Sequence, residues 1–103
     1  MSIRFFDEMY MDDEIRRTAT IEGKEIRILV GKVDSVYASA MGVSLVNNSR
    51  EIILVKDEIP KAWRYDRPGA KMTIGDRAYQ THQELPPQET SDGELLRLTV
   101  HPV

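Results

Sequence analysis

The stretch "RPGAKMTIGDRAYQTHQEL", residues 67–85, carries two turn signals at short spacing and constrains the fold more than any other part of the chain. In Arg67-Pro68-Gly69-Ala70, proline presets φ near about −65° and glycine tolerates positive φ, the combination a type II turn requires. Met72 and Ile74 then alternate with Lys71 and Thr73, so one face is apolar and the other polar. Gly75-Asp76 places glycine at the first central position of a type II′ hairpin turn. The return strand carries Ala78, Tyr79 and Thr81, with Leu85 closing the run before Pro86-Pro87 ends it. The segment predicts a β-hairpin.

The same period-two pattern recurs through most of the chain. Ala19 and Ile21 precede Glu22-Gly23-Lys24, a turn signal, and Ile26, Ile28 and Val30 alternate on the return. "EIILVK", residues 51–56, reads as a strand with an almost continuous apolar centre. "DEIPKAWRYDRPG" reads as a loop or short helical turn, because Pro60 rules out a long helix. Residues 86–93 read as a polar loop, and "ELLRLTV", residues 94–100, as a last strand with Leu96, Leu98 and Val100 on one side. Short strands with turns at close spacing predict an all-β fold, a small closed or partly open barrel or sandwich of about six to seven strands. Closure would also hide edge strands that invite unwanted pairing.

Two stretches break the pattern. Residues 1–14, "MSIRFFDEMYMDDE", hold five acidic residues against Arg4, a net −4, while the whole chain carries −3. Ser2 is a candidate cap for a short helix on which Phe5, Phe6, Met9 and Tyr10 share one side. Asp12, Asp13 and Glu14 would follow its C-terminal end, where the macrodipole disfavours negative charge. A helix this short is marginal alone. It either packs on its own domain or acts as an arm that orders against a partner. The second stretch, "VDSVYASAMGVSLVNNSR", has no firm period, and predicts a long mobile loop over about 34–48. The expected organisation is an arm or helix at 1–14 followed by one domain at 15–103.

Composition sets the outer limits. A chain of 103 residues makes one domain with a modest core. No apolar run reaches the roughly 18 residues of a transmembrane helix, and the start of the chain lacks the pattern of a secretory signal. The absence of cysteine removes disulfides and thiolate metal sites and fits a cytosolic folding compartment. A net charge of −3 argues against non-specific nucleic-acid binding, which depends on neutralising phosphates.

The residues offer no catalytic apparatus. His82 and His101 stand apart with no second ligand at a useful spacing, so no metal is expected. The acidic run 12–14 lacks the glycine and alternate-oxygen spacing of a calcium loop. Neither G-x-x-x-x-G-K-[ST] nor G-x-G-x-x-G is present, so no nucleotide cofactor is implied. Ser39, Ser44 and Ser49 have no positioned base. Trp63, among Lys61, Arg64, Tyr65 and Arg67, forms the one aromatic–basic cluster, suited to gripping a partner or, more readily, to plugging a barrel end. The candidate partner-binding residues are therefore Phe5, Phe6, Met9 and Tyr10 on the arm, Tyr37, Met41, Val43 and Leu45 in the loop, and Trp63 with Arg64.

From about Arg27 onward, four segments occur in an order that resembles the lambda-type phage head–tail joining proteins and their prophage relatives. They are "IRILVGKVDSVYASAMGVSL", "EIILVKDEI", "PGAKMTIGDRAYQTHQEL" and "GELLRLTV". The pieces that carry the resemblance are a strand leading into Asp57-Glu58-Ile59, then Met72-Thr73-Ile74-Gly75 with Asp76 next, the aromatic Tyr79, and a strand ending near Val100. The resemblance covers roughly three quarters of the chain, and its motifs are structural. It implies a small β-barrel, monomeric in isolation, that enters a ring at the neck of the virion and is made in the host bacterial cytoplasm. The implied partners are the connector or head-completion protein of the filled head and the tail terminator or tail tube protein. It also implies that the N-terminal segment, Met1–Glu14 here, and the long loop, roughly Asp34–Asn48, are mobile in the free protein and make contacts. "PKAWRYDRPG" is longer than the family's usual connection and inserts Trp63, and the arm is shorter. Some prophage relatives are labelled ATP-binding sugar transporter-like, which the missing phosphate loop and missing membrane span do not support. Two alternatives share the architecture: another neck component, such as a tail terminator or connector adaptor, and a free-standing SH3-like or oligonucleotide-binding-like module.

Overall fold

The computed structural model describes residues 2–32, 40, 42, 48–67, 69–82 and 85–103. The expected mobile loop, with Tyr37, Met41, Val43 and Leu45, falls on residues outside these, apart from residues 40, 42 and 48.

Strands β1 (Arg16–Ile21) and β2 (Lys24–Gly31) form the first hairpin, in register from Arg16 opposite Leu29 to Ile21 opposite Lys24. Its turn residues Glu22 and Gly23 both adopt positive φ, 53° and 77°, the signature of a type I′ turn. Glycine does this freely, whereas Glu22 does so against its own Cβ. Strand β3 (Arg50–Val55) pairs with β2, from Ile28 opposite Leu54 to Gly31 opposite Glu51. The second hairpin joins β4 (Lys71–Ile74) to β5 (Arg77–Thr81), and Gly75 takes φ 62° as the II′ reading expects. Strand β7 (Leu95–Pro102) lies between β3 and β5, matching Val55 with Leu95 on one side and Thr81 with Val100 on the other.

Pairing of β1 with β4 at Ala19–Ile74 and Thr20–Thr73 completes the circuit β1-β2-β3-β7-β5-β4. The result is a closed six-stranded antiparallel barrel with one extra strand and one short N-terminal helix. The all-β barrel read from the sequence is the fold observed. The extra strand, β6 (Gln88–Glu89), lies within residues 86–93, which the sequence pattern reads as a polar loop. It pairs with Leu96 and Arg97 along the part of β7 that β5 does not reach, and Lys56 Nζ meets Glu89 Oε1 at 2.6 Å beside it.

The alternation of side chains divides the molecule into two apolar clusters. Ile26, Ile28, Ile52, Leu54, Leu96, Leu98 and Val100 point inward and fill the barrel with Ala19, Ile21 and Met72. Their outward neighbours Leu29, Val55 and Leu95 are also buried, in a second cluster on the outer wall. Helix α1 (Ser2–Met9) covers that wall. A strand buried on both faces reads as a continuous apolar run rather than an alternating one, which explains "IILV" in β3.

The connection after β3 closes one end of the barrel. A 3-10 turn at Lys56–Glu58 leads to Pro60, whose carbonyl accepts the Trp63 backbone N–H. The Trp63 side chain is 3% exposed and belongs to the barrel core. Its Nε1–H donates to the Lys71 carbonyl at 2.9 Å, at the end of β4 beyond the short β1–β4 ladder. Thr81 pins the following turn, donating from Oγ1 to the Arg67 carbonyl and accepting from the Ala70 N–H.

Candidate functional site

The wall that carries α1 is where most of the candidate residues of the N-terminal segment meet. The helix lies with Ile3, Phe6, Met9 and Tyr10 toward β2, β3 and β7, a stripe at i, i+3, i+6 and i+7. Phe6 is fully buried against Leu29, Val55 and Leu95, so it belongs to the core and is closed to a partner while the helix is docked. Phe5, one residue earlier, is turned about 100° around the helix and is 51% exposed. The single shared side expected for Phe5 and Phe6 is therefore split. Met9 and Tyr10 are half-buried at the edge of the stripe. Of the two readings of this segment, the structure has the helix packed on its own domain.

Polar contacts fix the helix at both ends and in the middle. The Ile3 N–H donates to Glu94 Oε2 at 2.9 Å, so the carboxylate of a residue just before β7 sits at the positive end of the helix. Ser2 is already helical, and the first-turn partner is Glu94. At the other end the Tyr10 N–H donates to the Phe6 carbonyl, and the Asp12 N–H to that of Met9. The acidic run that would burden a longer helix lies beyond Met9, where Asp12 Oδ1 accepts the Glu14 N–H and Asp13 pairs with Arg16.

Arg27, on the outer face of β2, joins helix to barrel. Its Nε and Nη2 donate to the two oxygens of Glu58, and its Nη1 to Asp7 of the helix at 2.9 Å. The guanidinium carbon stands 5.2 Å from the centre of the Phe6 ring and 5.5 Å from that of Tyr10, while the two rings stack 5.8 Å apart. The Glu58 bond, seconded by Asp7, raises the arginine's pKa against the opposing effect of burial and keeps it charged. A planar fork that also stacks on rings is a task for which lysine is no substitute. Nothing in the local pattern of β2 marks Arg27 beyond a charge between two isoleucines.

The remaining candidates lie elsewhere. Trp63 is the barrel plug, which removes it as a contact residue, because its ring is inside and its one donor is engaged. Arg64 is exposed and forks onto Asp66, which holds that carboxyl below the usual range. His82 and His101, which the sequence separates, face each other edge-on at 5.8 Å where β5 runs into its neighbour β7. Among the described residues no group of three metal-ligating side chains is gathered, and no helix is long and apolar enough to cross a membrane. Comparison with protein-family models, with curated proteins and with solved structures found no match.

Proposed function

We propose that this chain is a virion structural protein of a phage or prophage that joins the filled head to the tail as one subunit of a neck ring, and that it performs no catalysis. Support comes from the order of the four segments that resemble the head–tail joining proteins, and from the fold. The observation that carries the reading is a closed barrel whose interior is filled by its own side chains. A filled barrel leaves function to its outer surfaces and connections, and a joining subunit needs nothing else. Small, soluble and net negative, such a subunit stays dispersed until a packaged head presents a ring of sites. Each contact can then be weak, because linked copies around a ring bind with an effective concentration that multiplies their affinity. The partners on this reading are the connector or head-completion protein on one side and the tail terminator or tail tube on the other.

The test is sedimentation of the purified protein with filled heads and, separately, with free tails. Co-sedimentation with filled heads, and restored infectivity on adding tails, is the expected result. Binding to tails alone would make the chain a tail terminator. Binding to neither would leave a free-standing module and end the joining proposal.

A further inference from the structure

The junctions that close the barrel are unequal. Strand β1 is matched with β2 from Arg16 to Ile21, and β3 with β7 from Arg50 to Val55. Between β5 and β7 the ladder from Tyr79 to Thr81 is extended at both ends, by the Val103 N–H on the Ala78 carbonyl and the His82 N–H on that of Thr99. Between β1 and β4 it holds Ala19–Ile74 and Thr20–Thr73 alone. The register explains the shortness: continued in either direction, it sets Thr18 opposite Gly75 in one hairpin turn and Lys71 opposite Glu22 in the other.

Backbone alternation thins this seam further. Both hairpin turns are two residues long, so the flanking pairs Ile21–Lys24 and Ile74–Arg77 exchange both hydrogen bonds, as does every second pair beyond them. Ala19 and Ile21 therefore bond toward β2, and Met72 and Ile74 toward β5. Thr20 and Thr73 are left to bond across the seam, where the Thr73 hydroxyl also donates to the Thr20 carbonyl at 3.4 Å. Lys71 is the other residue of β4 that faces this way, and its carbonyl accepts the Trp63 indole N–H at 2.9 Å. That ring is rooted in the core, and its backbone N–H is tied to Pro60 in the connection after β3. A side chain thus stands where a strand would have been. Packing follows the same division. Ile21, Ile28, Ile52 and Leu96 of the other strands are fully buried, whereas β4 and β5 bury Met72 and Thr81 and leave Ile74 and Tyr79 half-buried. A unit held by a short ladder and few buried side chains opens at a lower free energy than the whole domain.

We infer that the barrel opens at the β1–β4 seam while the rest of the domain stays folded, the β4–β5 hairpin swinging on β7 as a flap and Trp63 serving as its latch. The open form bares Ile21 and Met72. This is a property of the free chain and stands apart from the joining of heads to tails. Native-state hydrogen exchange of the full chain, followed by amide NMR at low urea concentrations, tests it residue by residue. The Thr20 and Thr73 amides are expected to be protected about tenfold less than those of Ala19, Ile21 and Ile74 beside them, with little dependence on urea. Trp63→Phe keeps a ring in the plug and should lower protection at the two threonines about tenfold further. Ala19→Cys with Ile74→Cys, a facing pair that is not hydrogen-bonded, should form a disulfide that raises protection there and loses the gain on reduction. Protection of Thr20 and Thr73 equal to that of the amides joining β3 to β7 would overturn the inference. So would loss of protection at Met72 and Ile74 in step with Thr73, which means a hairpin that unravels instead of swinging. Unchanged protection in Trp63→Phe, or a disulfide without effect on the seam, would overturn it equally.

Discussion

Replacing Phe6 by alanine tests whether the helix is part of the folding unit. The ring is fully buried, and removing it forfeits about 1.5–3 kcal/mol of burial. It also removes the stack on Tyr10 and the guanidinium contact of Arg27, each about 0.5–1 kcal/mol. A void left under the helix adds to this, and phenylalanine-to-alanine changes in cores cost about 3–5 kcal/mol. The ceiling here is set by detachment: an eight-residue helix that loses its anchor can leave the wall instead of bridging a cavity. The expected loss is about 3 kcal/mol. Urea denaturation followed by Trp63 fluorescence is a suitable assay, because Trp63 sits in the barrel cluster and the helix in the other one. A fall in midpoint with an unchanged denaturant slope means that the helix and barrel unfold together. A shallower slope means that the helix has already detached in the native variant. A change below about 0.5 kcal/mol, within the range of ordinary surface substitutions, would refute the claim that Phe6 anchors the helix to the barrel wall.

Leu98→Ala, inside the barrel, should cost about 2–5 kcal/mol by the same denaturation assay. Trp63→Phe keeps a ring in the plug but leaves the Lys71 carbonyl without its indole donor, and should cost about 1–3 kcal/mol. Glu22→Asn relaxes the one left-handed turn residue that is not glycine in the first hairpin. It should raise stability by up to about 1 kcal/mol, measured as an increase in midpoint. Glu94→Gln keeps an acceptor for the Ile3 N–H but removes the charge at the helix N-terminus. It should cost about 0.3–1 kcal/mol and speed hydrogen exchange in α1 before that of β2.

The barrel strands were legible because each has an inside and an outside, and alternation records that difference. Ile26 and Ile28 against Arg27, or Leu96 and Leu98 against Arg97, show the period directly. The hairpin turns were legible for a separate reason, since Gly23 and Gly75 supply positive φ where a side chain resists it. The docking of α1 was harder to see, although a trace existed. Continuous apolar residues in β3, and Leu29 and Leu95 out of phase with their neighbours, require cover on the outer wall. Strand β6 left none, because two polar residues paired to one edge have no periodicity to display. Arg27 was equally silent: its partners Asp7 and Glu58 come from distant parts of the chain, and only the fold brings them together.

The way β7 is placed has a bearing on how the protein is made. This one strand holds β3 along one edge and shares the other between β5 and β6, yet it is the last of the strands to leave a ribosome. Until Leu95–Pro102 emerge, β3 and β5 each present an open edge, and Ile52, Leu54 and Met72 lack the wall that buries them. The nascent chain therefore spends its synthesis as an unclosed sheet, the state most prone to pair with a neighbour on the same message. Closing is one late event, and a chain cut short at Asp92 should accumulate as aggregate rather than as a smaller folded protein.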